Sequence, residues 1–163
     1  MFVITIYREK YLALIIELIL TIQQKEFNIP VTLEAQPDLQ KIPEIYQSGK
    51  GNFWVALNDS QPVGTIGLID IGENTGVIRK MFVHAAFRGI LHGVSHQLLQ
   101  TLLQWAAQNE MKNLYLGTVE KLHASHRFYE KNGFTRTPMD KLPDQFPLMK
   151  VDTIFYKYEI NQK

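Results

Sequence analysis

Residues Arg79 to Leu103 read R-K-M-F-V-H-A-A-F-R-G-I-L-H-G-V-S-H-Q-L-L-Q-T-L-L, and this stretch constrains the chain more than any other. An apolar strand ends near Val83, a basic, glycine-containing turn follows, and a helix opens at about Gly93. Val94, Leu98, Leu99, Leu102, Leu103, Trp105 and Ala106 recur with a helical period. The first turn of any helix carries N–H groups without partners inside the helix. Those donors and the helix dipole together suit a phosphate-type anion. Gly89 and Gly93 let a bulky anion approach the main chain, and Arg88 adds a fixed positive charge. By chemistry alone, Arg88 to Ser95 is a phosphate cradle.

The rest of the chain must supply what surrounds that cradle. At 163 residues one domain is expected, large enough to bury a substantial core. A net charge of +1 gives no argument for binding nucleic acid or an anionic membrane. The absence of cysteine excludes disulfides, zinc–thiolate sites and a thiol nucleophile. Tyr11 to Ile22, Y-L-A-L-I-I-E-L-I-L-T-I, is shorter than the roughly 20 apolar residues of a membrane span, and Glu17 interrupts it. A buried helix is the reading; no export signal is evident, so a cytoplasmic location is expected.

Strands are expected at Phe2–Tyr7, Asn52–Leu57, Val63–Ile71, Val77–Val83, Asn113–Val119 and Asp152–Glu159. The segment N-D-S-Q-P joins the second and third as a hairpin. Helices are expected over Glu9 to about Lys25, over 93–109 and over Lys121–Lys131, with N-G-F stopping the last. A short helix beginning near Asp38, close to an N-cap position, ends before Ser48-Gly49. With one further strand, given no bounds, between the last helix and 152–159, the order is β-α-α-β-β-β-α-β-α-β-β, an α/β chain with a mixed sheet and helices on its faces. The strand 152–159 is read as an edge open to pairing between subunits, leaving monomer and homodimer both in view.

With these residues in place, the chain resembles the GNAT N-acetyltransferases, from about residue 2 to 160. F-R-G-x-x-H-G-V-S-x-x-L-L after M-F-V is similar to that family's acetyl-CoA signature, R/Q-x-x-G-x-G/A. Two registers fit. Counting from Arg88 puts Leu91 at the first glycine and Gly93 at the second. Counting back from Leu98-Leu99 makes Gly93-Val94-Ser95 the core, in a turn two residues longer. The second keeps Val94 and Leu98 on the buried face and is preferred here. The resemblance implies that the turn, with His92 as an added donor, holds the cofactor's pyrophosphate. It also implies that the fourth and fifth strands splay, with Met81, Phe82 and Val83 offering backbone groups to the pantetheine arm.

A second segment, L-H-A-S-H-R-F-Y-E-K-N-G-F at 122–134, is similar to the family's N-x-x-A-x-x-F-Y-x-K-x-G-F. Phe128, Tyr129, Lys131, Gly133 and Phe134 fall in place, Ser125 replaces an alanine, and Leu122 stands where an asparagine often contacts the cofactor. The resemblance adds Ser125 and Lys131 to the cofactor-binding set. Acetyl transfer to an amine expels a thiolate, and a phenol can protonate it. The resemblance gives that role to Tyr129. A base must take a proton from the attacking ammonium; Glu73, in the turn before the fourth strand, is the candidate, and a water relay is the alternative.

These features imply an acetyl-CoA-dependent N-acetyltransferase acting on a small-molecule or peptide amine by direct attack. A non-catalytic acyl-CoA-binding module on the same fold is the alternative. The pairs His92/His96 and His123/His126 have spacing that permits metal binding, but no HExxH accompanies them and no metal is expected. Glu26, Glu34 and Asp38 would suit a cationic acceptor, and Phe27, Trp54 and Phe146 an apolar one.

Overall fold

The computed structural model describes residues 2–89 and 91–160. Strands β1 (Phe2–Ile6), β2 (Asn52–Asn58), β3 (Gln61–Gly72), β4 (Thr75–Val83), β5 (Asn113–Thr118), β6 (Thr135–Thr137) and β7 (Ile154–Glu159) form one sheet, in the order β1-β2-β3-β4-β5-β7-β6. The helices are α1 (Leu12–Leu20), α2 (Ile42–Ile45), α3 (Val94–Gln108) and α4 (His123–Lys131). All pairings are antiparallel except β4–β5. Strand β7 lies between β5 and β6, so the expectation of an open edge at 152–159 is corrected.

Local chemistry explains the turns. Asp59-Ser60 and Glu73-Asn74 take positive φ at both positions, the tight hairpin geometry that matches strand twist. The N-D-S-Q-P connection is thus shorter than expected, because Gln61 and Pro62 already pair across β2. Pro62 is tolerated beside a bulge between Ala56 and Leu57. The α4 helix ends in a Schellman pattern, with Phe134 N donating to Tyr129 O (3.0 Å) and Gly133 N to Glu130 O (3.4 Å).

The first helical region is less uniform than its spacing suggests. A 3-10 turn at Glu9–Tyr11 leads into α1, which buries Ile15, Leu18 and Ile19 and exposes Glu17. Its continuation, Thr21–Glu26, widens into a π-helical turn that ends at Phe27. This turn aims Gln23 inward and Glu26 toward Arg88 in the turn after β4. Asp38 lies inside the 3-10 turn Pro37–Gln40 rather than at an N-cap, and it is buried.

Both faces of the sheet are covered. Helices α3 and α4 pack Val94, Leu98, Leu102 and Tyr129 against Ile66, Ile78 and Leu116 on one face. On the other, α1 and α2 cover Phe53 and Val55, while Phe146 covers Val77 and Tyr115.

A bulge in β4 decides where two cations point. Thr65 faces Phe82 and Gly67 faces Arg79, so β4 holds one extra residue across that interval. Lys80 takes φ 57° there. In a regular strand Lys80 would share the face of Ile78, beneath α3. The bulge turns it to the face of Arg79, and both cations reach Asp38. The Thr65 hydroxyl fixes this conformation by donating to Lys80 O at 2.6 Å. Thr65→Val should lower stability by about 1–2 kcal/mol, read by urea denaturation, because a buried carbonyl loses its donor.

Candidate active site

Strands β4 and β5 pair through only three positions, Thr75/Asn113, Gly76/Leu114 and Val77/Tyr115. Beyond them the strands part, and β5 spends its other edge on β7 along its whole length. The parting opens a cleft that encloses about 100 Å³ before it widens to solvent at its mouth. Met81 and Phe82 line it from β4, Gly117 and Thr118 from β5, and Leu122, Ser125 and Tyr129 from the α4 side. Phe146, Met149 and Asp152 of the β6–β7 connection close the remaining wall.

At the end of β4 the chain makes the turn that opens α3. Gly93 occupies the N-cap position in a left-handed conformation, φ 69°, and no side chain caps the helix. The first main-chain bond that returns to the cap runs from Gln97 N to Gly93 O, 3.0 Å. The N–H groups of Val94, Ser95 and His96 therefore lack intrahelical partners. Val94 and Leu98 are fully buried. Gly89 takes φ 103° in the same turn, and His92 is exposed, its ring 5.8 Å from Phe87.

Arg88 is more occupied than a simple phosphate ligand. Its guanidinium is bidentate on Glu26, with Nη2 donating to Oε1 at 2.7 Å and Nη1 to Oε2, and it lies over the Phe27 ring. Its Nε donates to Val83 O at 2.8 Å. Glu26, an expected acceptor contact, is tied to Arg88 in the turn before α3.

Tyr129 is 5% exposed and touches the cleft. Its ring packs on Phe134, Phe128 and Tyr156, while its hydroxyl has no hydrogen-bond partner among the described residues. Burial raises its pKa well above the ordinary phenol value. Ser125 is half-buried beside it, whereas Lys131 is exposed and does not line the cleft. Leu122 presents an apolar side chain to the cleft. Glu73 is exposed in the β3–β4 turn, at the end where β4 and β5 are still paired, and is not brought to the cleft. Trp54 is a core residue stacked edge-on against Trp105, and Glu34 is exposed.

Spacing in the sequence did not disclose the polar cluster that reaches the cleft through Gln23, Arg79 and Lys80. Gln23 and Gln36 exchange amide hydrogen bonds of 3.0 and 2.9 Å, and Lys80 Nζ donates to Gln36 Oε1 at 2.6 Å. Asp38 accepts from Tyr46 at 2.6 Å and lies 3.5 Å from Lys80 and 3.8 Å from Arg79. Burial pushes Lys80 down to about 8, against the opposing pull of Asp38. Arg79 has the Met149 sulfur, at 2.8 Å, as its hydrogen-bond acceptor. Asp152 is pushed up to about 6 by burial, with Arg79 and Lys80 restraining the rise. The one signal in the sequence was the pair R-K inside the otherwise apolar strand V-I-R-K-M-F-V.

Two other histidines have structural partners: His126 is buried and its Nε2 lies 2.9 Å from Val119 O, and His84 Nδ1 accepts from Ala86 N. Among the described residues no group of three or more metal-ligating side chains occurs, and no helix is long and apolar enough to cross a membrane.

The model of the acetyltransferase (GNAT) family matches residues 16–134. A GNAT-family acetyltransferase structure from Staphylococcus aureus Mu50 superposes with a TM-score of 0.95 at 35% identity, covering 99% of this chain and 100% of that one. An acetyltransferase structure from Streptococcus agalactiae gives 0.93 at 29% identity, covering 97% and 98%. The N-acetylaspartate synthetase of Danio rerio is 33% identical over 101 residues, 61% of this chain and 35% of that protein. The chain thus spans about a third of the length of that curated relative.

Proposed function

Because the chain belongs to the GNAT acetyltransferase family, we propose that it transfers an acetyl group from acetyl-CoA to a primary amine. The observation that carries this reading is the parting of β4 and β5 beyond Val77 and Tyr115, with the uncapped start of α3 at the end of the same β4. A cleft through a sheet can admit a thin acyl-pantetheine arm, while free N–H groups of Val94, Ser95 and His96 take the charged pyrophosphate. Arg88, held by Glu26, would shape the turn as much as it neutralises the ligand. A fold neighbour at 16% identity, an N-acetyltransferase from Thermoplasma acidophilum, was solved in complex with coenzyme A.

In this reading the amine nitrogen attacks the thioester carbonyl, the C–N bond forms, and the C–S bond breaks. Tyr129 gives its phenolic proton to the departing sulfur. The α-amino acids, L-aspartate first, are the acceptors to screen, since several relatives are named N-acetylaspartate synthetase.

Calorimetric titration with acetyl-CoA tests the reading, with dephospho-CoA and ATP as controls. Binding selective for acetyl-CoA is expected. No binding at millimolar acetyl-CoA would overturn it. Binding without thiol release across a broad amine panel would favour a non-catalytic acyl-CoA-binding module, a reading consistent with apolar Leu122 in the cleft wall.

A further inference from the structure

Resting on the transferase reading above, we propose that Asp152 is the general base, taking a proton from the acceptor ammonium on the face of the sheet opposite Tyr129. The two groups reach the cleft from different sides. Along β5, Leu114 and Leu116 point into the α3–α4 layer that contains Tyr129. Tyr115 points the other way, toward Phe146, and Gly117 follows it by strand alternation. Asp152 lies against that second face: a Cβ added to Gly117 would sit 2.7 Å from its Oδ2. Glycine at 117 therefore leaves the room that the carboxylate occupies.

This arrangement separates the two proton transfers in space. A thioester threaded through the gap has its sulfur on the Tyr129 side and its carbonyl carbon open to attack from the Asp152 side. Asp152 removes one proton from R–NH3+, the free amine forms the C–N bond, and the C–S pair leaves as thiolate. Tyr129 protonates the thiolate and is reprotonated from solvent, while Asp152, having passed its first proton to solvent, takes the second proton from the nitrogen as the amide forms and passes that on as well. One proton is released to solvent overall, so the step closes without a further reactant.

The surroundings suit a base. The charged groups facing Asp152 are Arg79 and Lys80 of β4, with Asp38 behind them, and β5 contributes none. Among the described residues no hydrogen-bond donor engages the Asp152 carboxylate; its backbone N donates to Met149 O at 3.1 Å. A carboxyl whose ionisation is raised to about 6 is deprotonated at neutral pH yet more basic than an exposed aspartate. Glu73, stranded at the paired end of β4, has no comparable access.

The test compares wild type, Asp152→Asn and Asp152→Glu. The probes are acetyl-CoA with the twenty amino acids and tyramine, followed by thiol release from pH 5 to 9. In the wild type, kcat/KM for the best of these acceptors should rise through a midpoint near 6. Asp152→Asn should lose about 10²- to 10³-fold in kcat and lose that limb, and Asp152→Glu should recover part of the rate. Acetyl-CoA affinity by calorimetry should not change. Asp152→Asn should melt no lower than wild type at pH 8, because it removes a buried charge. A variant within threefold of wild type, with the limb intact, would overturn the proposal.

Carbon-13 titration of the carboxyls, assigned with Asp152→Asn, decides independently of any acceptor. A midpoint near 6 supports the base, and one below about 4.5 overturns it. Failure of the transferase reading itself would show instead as loss of acetyl-CoA binding in the wild type.

Discussion

Tyr129→Phe is expected to lower kcat about 10²-fold or more, with acetyl-CoA affinity unchanged. The substitution removes one hydroxyl and nothing else that the fold uses. The ring still packs 5.4 Å from Phe134 and 5.9 Å from Tyr156. No described residue loses a hydrogen-bond partner, so the thermal midpoint should hold. In the proposed reaction, what disappears is the hydroxyl that would protonate the departing sulfur, carried on a side chain only 5% exposed. Such donors matter most where water is excluded. Steady-state thiol release beside calorimetry checks the split between kcat and binding; unchanged turnover would remove Tyr129 from the mechanism.

The ionisation of Tyr129 adds a second readout. Burial raises it above the ordinary phenol value, so the hydroxyl keeps its proton throughout the working range. Wild-type kcat should therefore show no falling alkaline limb below about pH 10. A limb centred near 8 would assign the essential acid to another group, with Lys80 the first to examine.

How much of this was legible in the sequence depends on the range of each interaction. The succession of β4, turn and α3 was readable because all three follow one another within a short stretch of chain around Arg79–Leu103. The structure places Gly93 at the α3 N-cap and buries Val94 and Leu98 as the spacing implies. The α4 stop was readable too, since N-G-F encodes its own capping bonds. Asp38 was not. Its local neighbours suggest a helix cap, but its partners are Tyr46, Arg79 and Lys80, two of them brought by a distant strand. The bulge at Lys80 was equally hidden, because one extra residue changes the face of a side chain without changing composition. Asp152 gained its environment from Gly117, a contact that only the β5–β7 pairing creates.

Asp38→Ala should destabilise the protein by about 3–5 kcal/mol near neutral pH, the usual cost of stranding a buried charge. Asp38 is 4% exposed and Lys80 8%, so bulk water solvates the stranded ammonium poorly. Tyr46, itself fully buried, also loses the acceptor of its 2.6 Å hydrogen bond. The sign with pH follows from Lys80, whose folded pKa of about 8 lies below its unfolded value of 10.5. Between those values the unfolded chain binds the extra proton, so raising the pH favours the folded state. Without Asp38 the folded pKa drops further, because the interaction that held it up is gone. The deficit of the variant is therefore largest in mild acid and shrinks as the pH climbs toward 8. Above that, wild-type Lys80 is also neutral, and the share due to Tyr46 remains. Urea denaturation of Asp38→Ala, Lys80→Met and the double variant at pH 6 and 9 measures the coupling directly. A double variant more stable than Asp38→Ala, by a margin that narrows at pH 9, is the expected result. Strictly additive losses at both pH values would mean that Lys80 does not depend on Asp38. The bulge that presents Arg79 and Lys80 to one face would then need another reason.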